Sequence, residues 1–67
     1  MITIPATVNL MKLLDALRSD IASNITTKDY IEIKNDHDQL GLIVDIWDKE
    51  DYQLLDTYTY WFDDFKD

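Results

Sequence analysis

Leu10, Leu13, Leu14, Leu17 and Ile21 recur at intervals of three and four residues, while Lys12, Asp15, Arg18 and Ser19 take the remaining positions. That period predicts one amphipathic helix over residues 7–22, with its apolar stripe turned to a core. Pro5 suits the entry to the helix and Thr7 is its candidate N-cap. After the polar "SNITTK" the period falls to two. In "DYIEIKN" Ile31 and Ile33 alternate with Tyr30, Glu32 and Lys34, as in a half-buried strand. In "LGLIVDIW" Leu40, Leu42, Val44 and Ile46 share one face, and Gly41, Ile43, Asp45 and Trp47 the other. "NDHDQ" and "DKED" carry the turn-forming residues between these runs.

"YQLLDTYTYWF" reads two ways. Leu54, Tyr58, Trp61 and Phe65 fit helical spacing, but Thr57 to Phe62 is an unbroken run of strong strand formers, which favours a third strand. Its inner face is expected to be Leu55, Thr57, Thr59 and Trp61, because the opposite choice buries Asp56. A bulge near Asp56 would reverse that choice, and the reversed face buries more aromatic area. "DDFKD" suits a short helical end. The expected fold is therefore α+β over residues 1–67 as a single domain: an N-terminal helix packed on a three-stranded antiparallel meander.

Composition narrows the class. A chain of 67 residues buries only about 60% of its unfolded surface, and with no cysteine it has no disulfide to staple it. Small domains of this kind often gain stability by association, so a homodimer is one expectation. The N-terminus lacks a basic lead-in, and no run approaches the roughly 20 apolar residues that span a bilayer. A cytoplasmic protein without membrane contact is expected. Net charge is −8, but unevenly spread. Residues 1–28 carry Lys12, Arg18 and Lys28 against Asp15 and Asp20, whereas the remainder holds twelve acids against Lys34, Lys49 and Lys66. Such a field repels nucleic acid and attracts basic protein surfaces.

Catalytic and metal signals are weak. His37, the sole histidine, lies in a polar turn between Asp36 and Asp38, with no cysteine or serine placed to work with it. "DHDQLG" starts like a calcium loop at Asp36, Asp38 and Gly41, but Leu40 and Trp47 occupy positions that need oxygen ligands. No enzyme, cofactor or metal is expected.

The tail from Asp48 to Asp67 crowds carboxylates among aromatics. A core and solubility account for them singly, yet so dense a charge destabilises a small domain by self-repulsion. A basic partner offsets that cost, with carboxylates steering the encounter and aromatics supplying affinity. The candidate partner-binding residues are Asp45, Trp47, Asp48, Glu50, Asp51, Asp56, Tyr58, Tyr60, Asp63, Asp64 and Asp67. In size, acidity, lack of cysteine and expected layout the chain resembles small phage-encoded inhibitor proteins, including anti-CRISPR and other DNA-mimic proteins. The resemblance implies an inhibitor that occupies the nucleic-acid site of a host nuclease, polymerase or repair enzyme. The near-neutral first 28 residues depart from an all-over acidic mimic and confine mimicry to the sheet and tail. Two other classes fit the same features: an immunity or antitoxin-type protein that neutralises a basic toxin, and a homodimeric accessory module.

Overall fold

The computed structural model describes residues 1–24, 26 and 29–66. Helix α1 runs Leu10–Asn24 and is followed by β1 (Asp29–Asn35), β2 (Gly41–Asp48), β3 (Leu54–Trp61) and a 3-10 helix, Phe62–Phe65. The three strands form an antiparallel meander in the order β1-β2-β3, with the helix on one face. The α+β architecture expected from the periodicities is the one found, including the helical end.

The helix starts later than its apolar pattern suggests. Asn9, rather than Thr7, is the cap: its Oδ1 accepts from Lys12 N–H at 3.3 Å, and its carbonyl accepts from Leu13 N–H. The buried face is also rotated. Leu13 is fully buried, with Ala16, Leu17 and Ile21 half-buried beside it, whereas Leu10 and Leu14 are 49% and 46% exposed. A polar residue explains the rotation. Asp20 belongs to the inward face because its Oδ2 accepts the Tyr60 hydroxyl at 2.7 Å, and an apolar pattern cannot register that anchor.

In the sheet, Leu42, Val44 and Ile46 of β2 point toward the helix, as their alternation requires. Leu40, grouped with them by parity, lies in the preceding turn and is exposed. The third strand has the opposite face inward from the one expected. Tyr60 pairs with Leu42 and Tyr58 with Val44, so both tyrosines face the core, while Thr57, Thr59 and Trp61 face out. A bulge explains the reversal. The register slips between Ile46 and Trp47, whose partners are Asp56 and Leu54, leaving Leu55 as the extra residue. Asp56 thereby stays at the surface, with its Oδ1 accepting Thr57 N–H at 2.9 Å. The desolvation cost that argued against this face is avoided, and the aromatic area is buried.

Both chain ends close over the same end of the core. Val8 bridges to Lys66, Asn9 N–H donates to the Phe65 carbonyl, and Val8 and Phe62 are buried together. At the edge of β1, Asn35 uses its side-chain amide like a strand backbone. It donates to Thr3 O and accepts from Thr3 N–H, both at 2.8 Å.

Candidate partner-binding surface

Most of the carboxylates have local structural work. In the β1–β2 turn, Asp36 Oδ1 accepts Leu40 N–H at 2.6 Å and Gly41 N–H at 2.9 Å, while Gln39 adopts a left-handed backbone with φ 58°. Asp48 repeats the device in the β2–β3 turn. Its Oδ1 accepts from Glu50 N–H and Asp51 N–H, and Tyr52 takes φ 54°. Asp29 accepts from the N–H and hydroxyl of Thr26. These acids are explained by chain reversal alone. Among the described residues no metal-holding group of three His, Asp or Glu side chains forms, and His37 is exposed in its turn.

Asp45 is 5% exposed and sits at the middle of the outer sheet face. Thr57, directly across β3, donates its hydroxyl to Asp45 Oδ1 at 3.0 Å, and Lys34 Nζ lies 3.2 Å from Oδ2. Lys34 also reaches Glu32 at 3.8 Å, which offsets the repulsion between Glu32 and Asp45 paired across the strands. Asp45 thus holds the three strands together and is not offered to a partner.

The expected site residues therefore divide. Asp45 and Tyr60 are buried, Tyr58 is half-buried against the core, and Asp48 and Asp56 bind backbone amides. Asp67 lies outside the described residues. Glu50 and Asp51 are exposed at the β2–β3 turn, and Asp63 and Asp64 at the C-terminal 3-10 helix, beside the β1–β2 turn with Asp38. Asp63 pairs with Lys66 at 2.8 Å on the surface, which is worth little in water. Exposed acids therefore mark both ends of β2, about 23 Å apart for its length.

Between those ends lies a sheet face that no described element covers. Tyr30 and Trp47 stack on it at 6.4 Å with 13° between their planes, and Trp61 is 47% exposed across the sheet. Tyr30 and Trp61 were not among the expected site residues. Trp61 was missed because its face depends on the bulge; Tyr30 was visible from the alternation of β1. The Trp47 indole N–H is buried and has no acceptor among the described residues. An unmet donor costs about 1–3 kcal/mol, which offsets much of what the larger ring gains over phenyl. Trp47→Phe is expected to change stability by less than about 1 kcal/mol in urea denaturation. A loss above about 2 kcal/mol would mean that the indole N–H is satisfied in solution.

Comparisons with protein-family models, curated proteins and solved structures give no match to this chain. No helix among the described residues is long and apolar enough to cross a membrane.

Proposed function

We propose that this chain is a non-enzymatic cytoplasmic inhibitor that occupies the basic surface of a nucleic-acid-binding protein. One observation carries the reading: the carboxylates not used internally gather at the two ends of an uncovered aromatic sheet face. Charge density refines the target. The body is 39 Å long with a net charge of −8, about one charge per 5 Å. A single nucleic-acid strand carries one per ~3.4 Å and a duplex one per ~1.7 Å, so a groove for a single strand is the closer match. Tyr30, Trp47 and Trp61 add stacking surface of the kind that such grooves meet in bases.

The test is competition. Purified single-strand-binding and duplex-binding proteins are titrated with the chain at low salt, with oligonucleotide of each kind as competitor. Displacement of nucleic acid from at least one of them, weakening as salt rises, is expected; no displacement from any overturns the reading. Asp63→Asn with Asp64→Asn is expected to lower that affinity roughly three- to tenfold at low salt with unchanged circular dichroism. Unchanged affinity would remove the C-terminal acids from the interface.

A second reading, the homodimeric module, has its own observation. Leu10, Met11 and Leu14 form an exposed apolar patch on α1, beside a shallow depression lined by Met11, Leu14, Asp15, Leu17 and Arg18. Light scattering separates the two, since a dimer that persists at high salt and ignores basic proteins supports the module.

A further inference from the structure

The open edge of β3 is the part of this surface with the most specific chemistry. Phe62 N–H donates to the Leu40 carbonyl, next in register to Gly41–Trp61 and Leu42–Tyr60. Hydrogen-bonded pairs alternate along an antiparallel ladder, so Phe62, Tyr60 and Tyr58 turn their backbone groups toward β2. The backbone groups of Thr57, Thr59 and Trp61 therefore face away from the sheet. Thr57 N–H is already taken by Asp56 Oδ1 and the Trp61 carbonyl caps the 3-10 helix, which leaves the N–H groups of Thr59 and Trp61 and the carbonyls of Thr57 and Thr59 without a strand partner among the described residues. All three residues are exposed, and no proline or cation occurs from Leu54 to Trp61. Natural edges are commonly blunted by lysine, proline or a covering segment. The opposite edge follows that rule: β1 carries Lys34, and Asn35 holds the N-terminal segment.

We propose that the β3 edge, Thr57 to Trp61, accepts an extended basic segment of the partner as a fourth strand. The inference rests on the reading that the partner is basic. Charge chooses the occupant. Asp56 flanks one end of the open stretch, and Asp63 and Asp64 the other. A second copy paired antiparallel about Thr59 would set Asp63 of each chain beside Leu55 and Asp56 of the other, acid near acid at both ends. A segment with Lys or Arg at its ends places cations there instead. Main-chain hydrogen bonds supply affinity in this mode, and Trp61 gives one large contact on the outer face.

The experiment uses the full isotope-labelled chain at low salt and a nonapeptide, Lys-Arg-Val-Thr-Val-Thr-Val-Arg-Lys. Its control is the same peptide with N-methyl groups on the amides that would face β3. Equal charge with blocked backbone separates strand addition from attraction alone. The expected result is that the parent peptide slows amide exchange at Thr59 and Trp61 about tenfold or more, and the methylated one does not. Thr59→Pro, which removes an outward N–H and spares the ladder to β2, is expected to abolish the protection at Trp61. Equal shifts from both peptides at the acidic ends, without edge protection, overturn the strand addition and leave the basic-partner reading standing. No binding of either peptide overturns both. Protection that grows with protein concentration and needs no peptide assigns the edge to a second copy and overturns the proposal.

Discussion

Gly41→Ala is expected to destabilise the chain by about 3 kcal/mol, the upper end for adding one methyl group to a packed site. A Cβ at this position would stand 2.5 Å from the Tyr60 carbonyl oxygen, 3.2 Å from Trp61 Cα and 3.1 Å from the Trp61 ring. Two of these three neighbours are backbone atoms, so no side chain can swing away to make room. Gly41 has no positive φ, and its need for glycine comes from the close approach of β3 alone. The strand must shift where Trp61 pairs with Gly41, next to the turn closed by Asp36. A domain of this length has about 3–10 kcal/mol of stability in all. The expected loss lowers the midpoint of thermal unfolding by about 12 °C or more, measured by circular dichroism. A loss under about 1 kcal/mol would mean that β2 and β3 are farther apart at this point.

How far the sequence reveals this fold depends on what each element uses to choose its position. Alternation was enough for the faces of β1 and β2, because Ile31, Leu42, Val44 and Ile46 lie on the face opposite Glu32, Lys34 and Asp45, whose charges need one another or Thr57 as partners, although Ile33 on the helix side remains 39% exposed. The parity of β3 was not readable in that way. Both faces of Thr57-Tyr58-Thr59-Tyr60 suit a strand, and the choice rests on one extra residue, Leu55, that lets Asp56 stay wet while Tyr58 and Tyr60 turn inward. The helix rotation failed for a related reason, since Asp20 is drawn inward by a hydrogen bond and not by apolarity. The same limit applied to the site. Counting carboxylates overstated it, because Asp45, Asp48 and Asp56 are engaged by backbone amides or by neighbours across the sheet. Acids at turns and bulges are ambiguous until hydrogen bonds are placed. Exposed ones such as Glu50, Asp51 and Asp64 carry the electrostatic argument that remains.

Tyr60 is where the reversed register has its largest consequence, and replacing it distinguishes an inward tyrosine from a surface anchor. Its ring is 5% exposed and packs against Phe65 at 6.3 Å, while its hydroxyl reaches Asp20 on the helix. Removing a buried aromatic costs about 3–5 kcal/mol and losing its hydrogen bond to Asp20 about 1.5–3 kcal/mol more, which together take up most of the stability expected of so small a domain. Tyr60→Ala is therefore expected to leave most of the chain unfolded at 25 °C by near-ultraviolet circular dichroism. A folded Tyr60→Ala protein that only binds its partner less well would contradict the burial. Tyr60→Phe keeps the ring and loses one hydrogen bond to a charged group, about 1.5–3 kcal/mol, so it should remain folded near neutral pH. The two proteins should also differ in alkali. Burial first, and then the hydrogen bond and charge of Asp20, raise the Tyr60 hydroxyl well above its ordinary value of 10.0. The folded state therefore keeps a proton that the unfolded chain gives up from about pH 10. That stabilisation is complete below pH 10 and is lost as the pH rises through the raised folded-state value. Tyr60→Phe has no such proton, so its stability should fall less steeply above pH 10 in urea titrations. Parallel slopes for the two proteins would mean that the Tyr60 hydroxyl is neither buried nor held by Asp20 in solution.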